Sequence, residues 1–331
     1  MRYEIILFRF TSPVHFGDAA EGGDLGEILS YCRADTFFSA LCREAADISQ
    51  ELLECVVEGV QRGKLRFSDL FPWKKRKDCN ELYLPRPVMN ISHDECGKTL
   101  SYEEVREQSA ERKKEKKRSF IRASEMESYL QGRDISAQPD FGKEELRTQY
   151  NAREKLPYGI GGYHFISDAG LYLILSGNEE CIAQLERLIT LLGMTGIGGK
   201  RSSGWGKYRL EDDPLELSED DFYGGDDAAL YKMLSSDHAE YYMTLSSFLP
   251  SLEEVKDAAA GTGKIIKRGG FAWSRDMISA AKTNSVYMMA SGACFSKRLA
   301  GRIADVNNGS APHPVYKYGL SLIHISEPTR P

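Results

Sequence analysis

Residues 196–209 read Gly-Ile-Gly-Gly-Lys-Arg-Ser-Ser-Gly-Trp-Gly-Lys-Tyr-Arg and bring together the residue types that can hold a phosphate. Gly196, Gly198, Gly199, Gly204 and Gly206 put five glycines in eleven positions. Lys200, Arg201, Lys207 and Arg209 add cations, Ser202 and Ser203 add hydroxyls, and no acid interrupts them. Glycine loses more conformational freedom on folding than any other residue, so this density is expected where a backbone must approach a ligand closely. Exposed amides, two hydroxyls and flanking cations can hydrogen-bond and neutralise a sugar-phosphate chain, and Trp205 can stack on a base. The alternative for the same residues is a glycine-rich hairpin with solvated charges.

Other phosphate motifs do not fit. Of six Gly-Lys pairs, only Gly97-Lys98-Thr99 supplies the hydroxyl residue a P-loop places on Mg²⁺, and there Ser92 stands where the leading glycine is needed. The dinucleotide fingerprint fails because Gly196-x-Gly198 is followed by Arg201, and Gly204-x-Gly206 by Arg209, where glycine is required. No paired carboxylates, Asp-rich metal motif or nucleophile elbow stands out, so no cofactor and no metal is expected. The seven cysteines, Cys96 among them, are scattered without a C-x-x-C pair, which argues against a disulfide framework or zinc knuckle and for reduced thiols in a cytoplasmic protein.

The elements that must position this segment are partly legible. Residues 3–10 are apolar on both faces, as a central strand requires. A helix with Asp35 as cap and Phe37, Leu41 and Ala45 at four-residue spacing follows, then a second over roughly 49–61 that ends at Gly63. Short strands are expected at 64–68 and 82–84, with Phe71-Pro72-Trp73 as punctuation. Residues 98–152 carry the basic block Arg112–Arg118 and little pattern beyond a short ordered piece at Ser119–Leu130. Order resumes with a strand at 171–175 and a helix over 179–192, capped by Asn178 and stopped by Gly193. Strand, helices, strands, helix, strand is the split βαβ, ferredoxin-like order: an α+β fold with helices on one face of an antiparallel sheet.

Residues 211–227 hold nine acids and no base, and 211–238 reads as an acidic, solvated linker. Beyond it the pattern restarts with a strand at Tyr241–Leu245, a capping box Ser251-x-x-Glu254, a glycine-basic turn at Gly261–Trp273, and strands near 286–290 and 314–318. The division is therefore 1–210 with an insertion at about 98–152, the linker, and 239–319 as a second ferredoxin-like unit. Residues 320–331 continue no pattern. From Ser321 they resemble translated sequencing-adapter DNA, so a non-native tail is expected and His324 is given no role.

Gly196–Tyr208 resembles the glycine-rich loop of the RAMP superfamily of CRISPR proteins, and closely its version in the Csm subunit of type III-A effector complexes that binds the 5′ end of the guide RNA. Val14-His15-Phe16-Gly17 followed by Ala34–Leu41 is similar to that family's N-terminal signature, and Lys267-Arg268-Gly269-Gly270-Phe271 and Pro314–Gly319 to its C-terminal half. The resemblance implies two ferredoxin-like domains, a protruding thumb for which 98–152 is the candidate, and a grip on the crRNA 5′ handle. Its implied RNA-binding residues are His15, the 196–207 segment, Lys267, Arg268, Gly269 and Gly270. Its implied partners are crRNA, the large polymerase-like Csm subunit, the backbone RAMP Csm subunit and, indirectly, target RNA.

The 331 residues carry Lys+Arg 43 against Asp+Glu 49, a net charge of −6, so any polyanion must be held by a local patch. With 41% hydrophobic and 28% charged residues the chain can bury a core, and it has no apolar run near the roughly 20 residues of a membrane span. Its N-terminus, charged through its apolar stretch, is unlike a signal peptide. Two rival readings remain: a metal-independent RAMP endoribonuclease that processes precursor crRNA with His15 as acid or base, and an adaptor with no RNA contact.

Overall fold

The computed structural model describes residues 2–18, 25–77, 79–91, 118–150, 156–220, 222–236, 239–272 and 277–326, the last four for their backbone alone. Cys96, Gly97-Lys98-Thr99, the basic residues 112–117, Asp221, Trp273 and residues 327–331 lie outside the described residues. Among the described residues no helix is long and apolar enough to cross a membrane.

A mixed α/β architecture is built on an eight-stranded antiparallel sheet. Its strands are β1 (Arg2–Phe10), β2 (Leu65–Phe67), β3 (Phe71–Arg76), β4 (Cys79–Pro85), β5 (Phe120–Arg122), β8 (Ala169–Gly177), β9 (Tyr208–Leu210) and β10 (Leu215–Glu216). Strands β6 (Gly142–Tyr150) and β7 (Pro157–Phe165) form a separate hairpin between β5 and β8. The order is β9–β1–β8–β3–β4–β5, with β10 also on β1 and β2 also on β8.

The two-faced pattern of β1 places it in the middle. Ile6 and Phe8 point into a core with α1 (Ala34–Ile48), α2 (Gln50–Gln61) and α3 (Glu179–Thr195), whereas Ile5 and Leu7 point into a second core with Trp73, Tyr83 and Tyr172. Full burial of such side chains contributes about 1.5–3 kcal/mol each, so a one-residue slip of β1 would exchange both faces and is strongly disfavoured. The second core also takes Met243, Leu245, Cys294 and Leu322 from the C-terminal half.

Several expectations are corrected. Asp35 does not cap α1: Arg33 holds the cap position, and Asp69 accepts a hydrogen bond from the Ala34 amide at 2.7 Å. Asp35 lies inside the first turn, where Arg268 donates to it at 3.0 and 3.1 Å and Lys317 at 3.3 Å. Burial alone would raise its pKa, but the two cations outweigh that and hold the carboxyl far below the usual range. Helix α3 keeps its Asn178 cap but runs through Gly193 to Thr195, and Gly196, at φ +85°, ends it. A Cβ on Gly193 would stand 2.6 Å from the Tyr208 carbonyl, so that glycine serves helix–strand contact instead. Phe71-Pro72-Trp73 opens β3 and is not punctuation.

Among the described residues, the acidic segment after β9 is joined to the fold through strand β10 and helix α4 and does not run as a solvated linker. Strand β10 pairs with β1, Leu217 is buried, and helix α4 (Asp226–Ser235) buries both of its leading aspartates. Asp226 accepts from the Leu82 and Ser124 amides and from Arg122, which satisfies a carboxylate that water does not reach. Beyond it, strand β11 (Tyr241–Thr244) pairs with β14 (Cys294–Phe295) and with β15 (Ile323–Ser326). The expectation that nothing patterned follows Leu320 therefore fails, since Leu320 and Leu322 are buried ahead of β15. The stretch expected as a glycine-basic turn at 261–273 holds two strand pieces: β12 (Ile265–Arg268) pairs with β13 (Val286–Met289), and Phe271 and Ala272 pair with Lys282 and Ala281. The Ser251–Glu254 capping box forms in both directions, at 2.9 and 3.3 Å.

Two outcomes follow from these buried charges. Asp35→Ala leaves Arg268 and Lys317 buried without their anion and is expected to cost about 3–5 kcal/mol in urea unfolding. On β1, burial first and a hydrogen bond with Glu186 second raise the Glu4 carboxyl to about 7, against the pull of Arg2. Folding therefore takes up a proton, and stability falls as pH rises from 4.5 through 7. Glu4→Gln, which mimics the protonated form, should raise the melting temperature well above pH 7 and change it little near pH 4.5; a gain equal at both would rule out this titration.

Candidate nucleic-acid interface

The segment after α3 folds back on the loop that follows β1. Gly199 donates to the His15 carbonyl at 2.8 Å, Gly206 to the Pro13 carbonyl at 2.7 Å, and Thr11 to the Lys207 carbonyl at 2.9 Å. Ile197 and Gly206 close the segment on itself, and a 3₁₀ turn at Arg201–Ser203 forms its tip. The amides of Gly198, Lys200, Arg201 and Ser202 donate to none of these carbonyls.

The glycines are required mostly by the protein itself. A Cβ on Gly196 would meet the Trp205 carbonyl at 2.6 Å, on Gly198 the His15 carbonyl at 2.7 Å, and on Gly199 the His15 ring at 2.5 Å; on Gly206 it would overlap the Ile197 carbonyl. Only Gly204, at φ +81°, looks onto open space. Four of the five glycines therefore admit neighbouring backbone or ring atoms of this chain, and one alone leaves room for an outside group.

His15 and Trp205 are the rings so admitted. His15 is buried, and its Nδ1 donates to the Gly161 carbonyl on β7 at 2.8 Å. Trp205, 5% exposed, lies 3.0 Å from where a Gly162 Cβ would be, with the Arg147 guanidinium 5.5 Å above its ring. Its face is occupied by the hairpin, so it does not offer the expected stacking surface.

The cations divide into two sets. Lys200 takes a left-handed conformation, φ +60°, which costs a non-glycine residue about 1–2 kcal/mol. Its ammonium lies 5.0 Å above the Tyr158 ring and donates to that hydroxyl at 3.2 Å. Arg201 is half-buried and donates to the Gly196 carbonyl at 3.4 Å; burial, with Arg43 adding to it, pushes its pKa below the ordinary arginine value. Ser202, Ser203, Lys207 and Arg209 are exposed. In the C-terminal half, Lys267, Gly269 and Gly270 are partly exposed, whereas Arg268 is spent on Asp35 and on the Thr36 hydroxyl at 2.9 Å. The structure thus gathers His15 and 196–207 into one site and sets Lys267–Gly270 on a separate ribbon.

Sequence reasoning missed the β6–β7 hairpin, which carries Tyr158, Gly161, Gly162 and Arg147 into this site and extends past the expected insertion boundary at 152. Strand β6 is exposed along nearly its whole length, Leu146 and Tyr150 included, so the alternating apolar pattern that betrays a strand is absent. Among the described residues no cluster of three or more histidine, cysteine or acidic side chains is arranged to hold a metal.

Comparison with known proteins agrees with this architecture. The C-terminal residues 237–324 match the family model of the CRISPR Csm4 C-terminal domain. Csm4 of Mycobacterium tuberculosis is 31% identical over 329 residues, covering 96% of each chain, and Csm4 of Streptococcus thermophilus is 28% identical over 325 residues, covering 97% of this chain and 98% of its own. Among solved structures, a Csm1-Csm4 cassette in complex with pppApA aligns over the whole of both chains with a TM-score of 0.59 at 19% identity. A Csm3-Csm4 subcomplex of the type III-A CRISPR-Cas interference complex aligns over 99% of this chain and 100% of its own, with a TM-score of 0.57 at 16% identity. A fold shared along the full length and an identity of nearly one residue in three lead to one assignment: the chain belongs to the Csm4 family of type III-A CRISPR subunits.

Proposed function

We propose that the chain is a non-catalytic RNA-binding subunit of a type III-A interference complex, in the cytoplasm, which holds the 5′ handle of crRNA. The observation that carries this reading is the acid-free tip at 200–207, where exposed hydroxyls, Lys207 and the open side of Gly204 stand on a base locked by its own glycines. Cations flank it on both sides, and phosphate oxygens are bound by this combination of amides, hydroxyls and ammonium groups. By analogy with relatives crystallised as Csm1-Csm4 and Csm3-Csm4 pairs, it bridges the large polymerase-like subunit to the backbone RAMP subunits and meets target RNA indirectly.

The strand order β9–β1–β8–β2, with α1–α2 and α3 as crossovers on one face, supports a ferredoxin-like unit over 1–210. We place the second unit at 239–319, after the acidic segment 211–238. The β6–β7 hairpin, exposed along β6, is the better candidate for the thumb than the whole of 98–152. His15 has a sufficient role as scaffold: its ring and carbonyl fix Gly161 and Gly199, and so align the hairpin with the loop.

A molecule of net charge −6 gains no long-range attraction to RNA, so binding is expected to be weak in isolation and firm in the assembly. About five phosphate contacts would give a salt slope of about −0.7 each, on the order of 10² in affinity between 50 and 200 mM salt. Reversing Lys200, Arg201 and Lys207 to glutamate is expected to strip most guide RNA from the purified complex while leaving the subunits together. Undiminished RNA recovery would favour a pure adaptor. His15→Ala should loosen RNA retention through the displaced loop. If the wild-type chain cut repeat RNA at a specific site and His15→Ala abolished the cut, the non-catalytic assignment would be wrong.

A further inference from the structure

All of the described cysteines are free thiols, and most are accounted for by packing. Cys32 and Cys294 are buried in the two cores, and Cys42 packs against the first, where burial pushes its thiol up to about 12. Cys79 donates to the Arg76 carbonyl at 3.4 Å. Cys55 and Cys181 differ from these. Each is only half-buried, and they sit on neighbouring helices, Cys55 in the middle of α2 and Cys181 in the first turn of α3.

Their side chains converge. The Cys55 thiol donates to the Gln184 Oε1 at 2.9 Å. Gln184 stands one turn after Cys181 on the same helix, and helical side chains lean toward the N-terminus, so its amide oxygen lies over the Cys181 turn. Cys181 also feels the charge of Cys55, together with that of Lys64 in the turn after α2. Both helices rest on the first core, through Val56 and Val60 from α2 and Ile182 and Leu185 from α3. Helix axes packed about 8–10 Å apart, with Cα atoms on cylinders of about 2.3 Å radius, bring facing Cα atoms to about 3.5–5.5 Å. A disulfide needs Cα atoms about 4.4–6.8 Å apart.

The environment holds the pair in its reduced form at rest. Burial first and Cys55 second push the Cys181 thiol up, with Glu180 adding to them, while Lys64 pulls it down. Little of it is thiolate at neutral pH, so the pair waits on an accumulating oxidant and does not react at once.

We propose that Cys55 and Cys181 are a reversible modification site, closed to a disulfide by a hydroperoxide, that staples α2 to α3. The Cys181 thiolate attacks the peroxide: an S–O bond forms, the O–O bond breaks, and the leaving alkoxide takes up the proton that Cys181 released, which gives a sulfenic acid and an alcohol. The Cys55 thiolate then attacks that sulfur. The S–S bond forms, the S–O bond breaks, and the hydroxide leaves as water with the Cys55 proton. Two electrons have passed from the sulfur pair to the peroxide, and a small dithiol returns both thiols by exchange. The staple holds the helix that leads into the glycine-rich segment at Gly196.

The full chain, reduced and then treated with tert-butyl hydroperoxide, is capped with N-ethylmaleimide and digested with trypsin without reductant. Residues 44–62 contain Cys55 as their one cysteine and residues 156–187 contain Cys181, so a disulfide between these two peptides identifies the pair by mass. It is expected as the main cross-link and should disappear with dithiothreitol. The oxidised chain should melt about 5–10 °C above the reduced one, as for a disulfide that closes a long loop. Cys55→Ser and Cys181→Ser should each melt like the reduced wild type and gain nothing from the peroxide. If the two peptides stay unlinked, or either is joined to a different cysteine instead, the proposal is wrong. Equal linkage in urea-unfolded chain would overturn it as well, because the fold would not be what brings the sulfurs together. A linked chain that melts no higher than the reduced one would remove the staple.

Discussion

Two aromatic rings held against glycine backbone organise the candidate site. His15 fits only because Gly199 has no side chain in its way, with its Nδ1 donating to the Gly161 carbonyl, and Trp205 fits only because Gly162 lacks a side chain. Each ring touches elements far apart in sequence: the loop after β1, the hairpin β6–β7, and the turn between α3 and β9. With these in place, the 3₁₀ tip at Arg201–Ser203 is fixed before any ligand arrives. Preorganisation of this kind lowers the ordering cost of binding, which matters for a chain whose net charge gives it no attraction at long range. The conformational cost of the glycines is incurred at folding, where the buried rings offset it, and not at the moment of association.

A second constraint ties the halves together. Asp35 on α1 is fully buried between Arg268 from the ribbon and Lys317 from the strand before the C-terminal edge, and Asp69 accepts from the Ala34 amide and from the Ser247 amide and hydroxyl. Tyr318 completes the seam: its ring stacks on Phe67 at 4.2 Å between centroids, and the Phe67 amide donates to its hydroxyl. Each of these buried polar groups is satisfied only when both halves are present, so the seam specifies one relative placement. The ion pairs are better viewed as registering that placement than as net stabilisation, given the desolvation that offsets their attraction.

Much of the first half was legible because its burial is one-sided or two-sided in a regular way. The strand at 3–10, the helices near 34–48, 50–61 and 179–195, and the strand around 171–175 follow directly from apolar spacing and caps. What escaped has identifiable causes. Asp35 has the residue type of a cap, but its partner lies more than two hundred positions away, and no local rule announces an ion pair of that reach. Gly193 has the residue type of a helix stop, yet its reason is contact with Tyr208. Five glycines in 196–206 suggest ligand approach from their density alone, whereas four of them admit the protein's own atoms, a reason that only tertiary contact reveals. The strand at 265–268 reads as part of a turn because Gly269 and Gly270 follow it, whereas its partner at 286–289 is legible as a strand. The hairpin at 142–165 lacks a fully buried face and so lacks a pattern.

Residue type and availability come apart most clearly at the cations and rings. Arg268 and Trp205 are chemically suited to RNA, but one is consumed by Asp35 and the other by Gly162 and Arg147. Lys207, Arg209, Ser202 and Ser203 keep their groups exposed, as do Phe271 and Tyr287 on the ribbon. A polyanion responds to the charges within about a Debye length, roughly 8–10 Å at physiological salt, and not to the total. Among the described acids after β9, Glu211 pairs with Arg9, Glu216 lies on β10, and Asp226 and Asp227 are buried at the start of α4, while the tip at 200–207 contains no acid in sequence. An acidic protein can therefore present a basic, hydroxyl-bearing surface to RNA, provided that its folding, and not its composition, decides which cations remain outside.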